Sequence, residues 1–269
     1  MSLWIVSMAL AGEPVVVGGP EPIAPALQRS EIVLAWGEVG LRPAVPESPA
    51  IGPDRLAVGP DGRSAVYDPL GKRVLVVGGA SIPVPAADGL AFTAAGILLV
   101  MDDRARLLRA YRDTGAFVAE LPFPGVVPPG GTLAVDGASV LSVDVFGNGH
   151  PLATVSTSGA LQAPSGPALV PAARKVVRNG TSLVVDGRAV ATVEGRAGGR
   201  LVGDWLIVEA MDDGAVTRAA IPLDGGSPVS LPVRGRLYAP AQDVAVGPDG
   251  DLAWLDPRAD GLHLVRVSP

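Results

Sequence analysis

The 269-residue chain has no cysteine, two lysines (Lys72 and Lys175), two histidines, two asparagines, and only 4% aromatic residues. Without cysteine there are no disulfides, thiol nucleophiles, thiolate metal sites or lipidated cysteine anchors. The histidines, His150 and His263, stand far apart and match no zinc spacing, and no HExxH is present. Each reads as an ordinary surface position, one in a turn and one in a strand. No Gly-x-Ser-x-Gly elbow and no phosphate-cradling glycine loop occurs. Net charge is −6, with no long run of one sign. The small basic groups (Arg104, Arg106, Arg109 and Arg112; Arg174, Lys175 and Arg178) alternate as solvated strand faces do, so nucleic acid is not an expected partner.

Long apolar runs are missing too. Leu3–Leu10 is well short of the roughly 20 residues that span a bilayer. Ala9-Leu10-Ala11 follows it, then Gly12-Glu13-Pro14, a spacing that reads as a signal-peptidase site closing a signal peptide over residues 1–11. No Lys or Arg precedes the run, and its other reading is a buried first strand. With Arg used almost to the exclusion of Lys, and Ala, Gly, Pro and Val abundant, the expectation is a bacterial protein, periplasmic or secreted. Its mature chain would be a single domain over 12–269 with no transmembrane segment.

What the chain does have is apolar material (48%) and turn formers (35 Gly, 27 Pro). It also repeats itself. Residues 56–69, LAVGPDGRSAVYDP, return as residues 244–257, VAVGPDGDLAWLDP. Between these copies a strand ending in an acid recurs at Asp68, Asp102, Asp144, Asp186, Glu209 with Asp212 close behind, and Asp256. The mean interval is about 38 residues, the size of a three- or four-stranded antiparallel blade. A lone blade exposes two apolar faces and two edges, whereas blades stacked around an axis cover one another. Strands covered on both faces read as continuous apolar runs, as at Ile97–Met101 and Leu183–Val185. Helical periodicity is absent. The expected fold is therefore all-β, a six-bladed β-propeller of small antiparallel blades. The last blade has room for only three strands, near 243–247, 251–255 and 262–267, so Glu31–Trp36 is expected to complete it and close the ring.

The unit "strand, Pro-Asp-Gly, strand, Asp, turn, strand" resembles the NHL-type propeller repeat and its relatives. The resemblance spans residues 54–269 and is carried by Gly59-Pro60-Asp61-Gly62 and Gly247-Pro248-Asp249-Gly250. It implies a six-bladed ring with ligand surfaces at its two ends, and no particular chemistry. The gluconolactonase-like hydrolases are a related six-bladed group. Their resemblance implies calcium held by Glu, Asn and Asp from several blades, yet Asn148 and Asn179 both sit in Asn-Gly turns.

The repeated acids suit turn positions, each accepting backbone N–H groups. Met101-Asp102-Asp103 and Met211-Asp212-Asp213 carry one acid more than a turn needs. Asp102, Asp103, Asp212 and Asp213 are thus the candidates for holding calcium or another ligand. No catalytic residue is assigned and no resident cofactor is expected. The functional expectation is a non-catalytic exported module that binds a protein, peptide or glycan, or belongs to an envelope assembly. The alternative is a divalent-metal-dependent hydrolase or lactonase.

Overall fold

The computed structural model describes residues 28–43, 50–123, 127–128, 131–144, 147–166, 169–172, 174–193, 196–212, 215–233 and 242–268. The signal-peptide stretch 1–11 lies outside them. The described residues are all β, with one short 3-10 turn and no α-helix.

Strand β1 (Gln28–Ala35) comes first. A first sheet contains β2 (Arg55–Val58), β3 (Ser64–Asp68), β4 (Arg73–Val76) and β5 (Ser81–Pro83). A second contains β6 (Gly89–Phe92), β7 (Leu98–Asp102), β8 (Leu107–Tyr111) and β9 (Phe117–Pro122). The third is β10 (Thr132–Asp136), β11 (Ser139–Val143), β12 (Gly149–Val155) and β13 (Leu161–Gln162). The fourth has three strands, β14 (Val176–Asn179), β15 (Ser182–Val185) and β16 (Arg188–Thr192). The fifth has β17 (Arg196–Val202), β18 (Trp205–Asp212), β19 (Ala215–Pro222) and β20 (Val229–Leu231). In the sixth, β21 (Val244–Val246), β22 (Leu252–Arg258) and β23 (Gly261–Ser268) are followed by β1, in the order β1-β23-β22-β21. Each of the first five sheets is an up-and-down antiparallel meander in sequence order, and the strand expected to join the last sheet does so.

Contacts divide the described chain into two compact units. The larger runs over Arg29–Pro171 and resumes in the C-terminal stretch to Ser268, so it contains the first, second, third and sixth sheets. Strand β7 shows why its sheets stack. Leu98 and Val100 point into a cluster with Ala57, Tyr67 and Ile82 of the first sheet. Leu99 and Met101 point the other way, onto Leu133, Val140 and Leu152 of the third. All four are fully buried, which is the reason this strand carries no polar alternation. Burying each such side chain contributes about 1.5–3 kcal/mol. On the far face of the first sheet, Leu56, Val58 and Val66 meet Ala253, Leu255 and Leu264 of the sixth. The innermost strands β21, β2, β6 and β10 are successive neighbours.

The smaller unit, Ala172–Val233, contains the fourth and fifth sheets. Leu183, Val185 and Val190 pack there against Leu206, Val208 and Ile221, and β14 runs beside β17.

Three of the turns between inner and second strands, and three further out, share one design. A backbone N–H bonds the carbonyl four residues on, and the fourth residue is a glycine at positive φ. Gly59 N donates to Arg63 O (2.7 Å) around Gly62 (φ +71). Gly247 N donates to Asp251 O (2.9 Å) around Gly250 (φ +83). Thr93, Arg112, Asp144 and Ser156 begin the same five-residue turn, with Gly96, Gly115, Gly147 and Gly159 as the left-handed residue. In five of these turns the glycine N–H also bonds the first residue's carbonyl, as in a turn closed by a glycine bulge, a common three-residue hairpin loop. The Gly59 turn differs, with Asp61 itself at positive φ and Arg63 N bonded to Pro60 O.

Three expectations are corrected. Asp256-Pro257 does not form a turn: β22 continues to Arg258 and turns after it. Proline is tolerated because the short β21 reaches no further than Trp254, so no ladder bond on that side needs the missing N–H. Glu209 lies inside β18 opposite Arg218, leaving Asp212 as the acid that ends that strand. His263 is not a surface residue; its side chain is 6% exposed, wedged between two carboxylates.

Candidate functional site

The acids that end second strands are mostly consumed by the fold. Asp68, 1% exposed, accepts from Leu70 N (3.2 Å) and Gly71 N (3.0 Å) with one oxygen and from Gly40 N (3.2 Å) with the other. Arg73 lies 3.5 Å from that second oxygen. Asp102 is buried, accepts from Ala105 N (2.9 Å) and faces Arg109 at 3.5 Å. Asp144 accepts from Asn148 N (2.9 Å) and the Asn148 amide (3.0 Å), and His150 Nε2 lies 3.3 Å away. Asp256 pairs with Arg258 (2.7 Å). Asp186 differs: with Gly187 it forms a two-residue hairpin at φ +52 and +77, its side chain half-exposed near Arg174. Such Asp-Gly pairs suit the turn type whose twist matches the flanking strands.

Of the candidate ligands, Asp102 and Asp103 belong to the larger unit and Asp212 to the smaller one. Asp213 falls outside the described residues. Asp103 donates its backbone N–H to Asp88 Oδ2 (2.9 Å), and this contact leads to residues that the repeat alone did not single out.

Asp54, Asp88 and Asp243 each sit immediately before an innermost strand. Antiparallel pairing brings them to the same end of the sheets as Asp68, Asp102 and Asp256: Asp54 N bonds Tyr67 O (3.2 Å), Asp88 N bonds Met101 O (2.7 Å), and Leu255 N bonds Asp243 O (2.8 Å). Arg55 lies among them, donating to Asp88 O (3.0 Å), Asp54 O (3.2 Å) and Asp54 Oδ2 (3.3 Å). Gln242 N donates to Asp54 O (2.9 Å). Two buried acceptors here have no donor among the described residues, Asp54 Oδ1 and Gln242 Oε1. Burial pushes the Asp54 carboxyl above its ordinary value and the Asp88 charge adds to this, with Arg55 opposing both. Tyr67, whose hydroxyl donates to Pro85 O (3.2 Å), is raised by burial and then by Asp54, Asp88, Asp102 and Asp68 around it. A perturbed carboxylate beside unpaired acceptors is what a binding site uses and a purely structural turn does not need.

The signal was present in the sequence. An acid stands fourteen residues before the strand-ending Asp in the first two sheets (68 − 54 and 102 − 88), and Asp243 stands thirteen before Asp256 in the last (256 − 243).

Calcium does not fit this end as it stands. The Arg55 guanidinium occupies the space between Asp54 and Asp88, and Asp102 is committed to Ala105 and Arg109. Among the described residues no group of three or more His, Asp or Glu side chains could hold a metal ion.

No protein-family model matches the chain, so membership of the NHL-type repeat is not established. No curated protein sequence matches it either. Solved structures similar to it are β-propeller-like proteins. A member of the DUF4221 family from Bacteroides vulgatus is 9% identical with TM-score 0.44, over 90% of this chain and 97% of that one. A catalytically inactive virginiamycin B lyase from Staphylococcus aureus with quinupristin is 9% identical with TM-score 0.41, over 90% and 100%. BamB from Moraxella catarrhalis is 12% identical with TM-score 0.31, over 90% and 97%. At such identities and scores none of these likenesses bears on activity, ligand or partner.

Proposed function

We propose that the chain is an exported bacterial β-propeller, closed by β1, that binds a protein, peptide or glycan at the acid-bearing end of its inner strands without catalysing a reaction. The observation that carries this reading is the pair of acceptors without a donor among the described residues, Asp54 Oδ1 and Gln242 Oε1, the first of them in the carboxyl whose pKa burial raises. They ask for donors from outside: amide, hydroxyl or ammonium groups, which peptides and glycans supply. The surrounding acids are already engaged with the fold's own N–H groups and guanidiniums, so the end is rigid before any ligand arrives. No resident cofactor is part of this reading. No helix of the described residues is long and apolar enough to cross a membrane; residues 1–11 as an export signal are part of the proposal.

The test is recovery of a partner from the envelope fraction of a bacterial host by the intact chain and by an Asp54→Asn, Asp88→Asn double variant. A lactone and ester hydrolysis screen, with and without calcium, runs beside it. A partner held by the parent and lost by the variant, with no turnover, supports binding. Calcium-dependent turnover would instead establish the hydrolase alternative.

A further inference from the structure

β1 is the outermost strand of the sixth sheet although it comes from the opposite end of the chain. Residues 28–33 are exposed, and of its eight residues only Leu34 enters the core. One buried leucine contributes about 1.5–3 kcal/mol, little to fix a whole edge strand against its conformational entropy. Just beyond it, Trp36 Nε1 donates to Arg258 O (2.9 Å). Arg29 lies over the Trp254 ring at 6.0 Å, and the polar side-chain anchorage centres on Glu31, held by Arg258 and by His263. His263 of β23 contacts Glu31 Oε1 of β1 through Nδ1, and Asp260 Oδ1 in the β22–β23 turn through Nε2 at 3.0 Å.

Ionised carboxylates only accept hydrogen bonds, so serving both requires N–H on both ring nitrogens. Only the imidazolium has two; a neutral ring turns a lone pair toward one of the carboxylates. We propose that β1 is held as a proton-controlled latch: imidazolium at His263 clamps Glu31 and Asp260 together, and loss of its proton releases β1 from the edge of β23. The other charged groups facing the cluster are Arg29 on β1, 3.6 Å from Glu31, and Asp256 and Arg258 on β22. Asp256 is the cross-strand partner of His263, and Arg258 bridges it to Glu31 at 2.7 and 2.9 Å. The two arginines do not balance three carboxylates, so the imidazolium is the charge that completes the cluster.

The latch has an acid limit as well. The hydrogen bond from His263 lowers the Glu31 pKa, helped by Arg258, His263 and Arg29 charges against a smaller opposing effect of burial. A lowered carboxylate stabilises above its unfolded pKa, and that contribution disappears as pH falls through the folded value. Attachment of β1 is therefore greatest between these two limits.

Hydrogen exchange on the intact chain tests this, comparing β1 (Gln28–Ala35) with β7 (Leu98–Asp102) as an interior reference. From about pH 5 to about pH 9, after correction for intrinsic exchange, β1 protection should fall on the order of tenfold while β7 protection holds. His263→Gln, which cannot gain a proton, should give a β1 profile flat over that range. Glu31→Gln, at an exposed strand where folding is retained, should flatten it as well. Equal protection of β1 at both pH values in the parent, or an undiminished pH response in either variant, would overturn the latch.

Discussion

Gly247, in the turn after β21, packs so closely on Val58 of β2 that a Cβ there would stand 2.7 Å from Val58 Cγ1. Gly59, its counterpart in the other copy of the repeat, stands in the same relation to Phe92 of β6, with the ring 2.7 Å from a hypothetical Cβ. One glycine thus serves the same purpose twice, admitting the side chain that ends the next inner strand. Gly247→Ala and Gly59→Ala should each cost about 1–3 kcal/mol through overpacking, read as a lowered urea midpoint at unchanged slope. In the Gly247→Ala background, Val58→Ala should cost less than it does alone, because the two changes share one space.

The strand-ending acids should separate into two groups on mutation. Asp68→Ala removes the acceptor for three backbone N–H groups and the partner of Arg73, a loss of about 2–4 kcal/mol. Asp186→Asn, at an exposed left-handed turn position that asparagine also adopts, should change stability by less than about 0.5 kcal/mol. Thermal melts of both variants decide this, and equal effects would contradict the different bonding of the two residues.

Asp54 should cost stability at neutral pH. A carboxyl whose folded pKa is raised binds its proton more tightly when folded. It favours folding while protonated, and that advantage is lost as pH climbs past the unfolded value and through the folded one. Asp54→Asn is therefore expected to raise the melting temperature at about pH 7 and to leave it unchanged at about pH 3. The same variant should lose the partner, since a group retained at a cost to folding is retained for binding.

Removal of residues 30–40 takes away most of β1 and the turn after it, leaving the backbone edge of β23 unpaired. Broadened, non-cooperative unfolding and concentration-dependent aggregation are expected by light scattering and calorimetry. A sharp parent-like transition would show that β1 is dispensable for the sheet.

Strand positions were open to reading because burial on both faces leaves its mark in composition. Leu98–Met101 is apolar throughout for that reason, and it lies in β7 as its composition implies. The turn glycines were equally open, since a left-handed backbone tolerates few residues. Local order along the chain, and the apolar strand that joins the final sheet, are thus properties of the sequence by itself. Tertiary structure alone decided which acids are spent and which are free. Asp68 and Asp54 are the same residue type, yet one meets three backbone donors and the other is left with an unpaired oxygen beside Asp88 and Arg55. It also turned His263 from a lone strand residue into the tie between Glu31 and Asp260. Leu70 and Gly71 are local turn donors of the kind a strand-ending acid calls for. Gly40 at Asp68, Arg55 at Asp88 and Glu31 at His263, however, come from 28, 33 and 232 residues away, and no local pattern encodes those contacts.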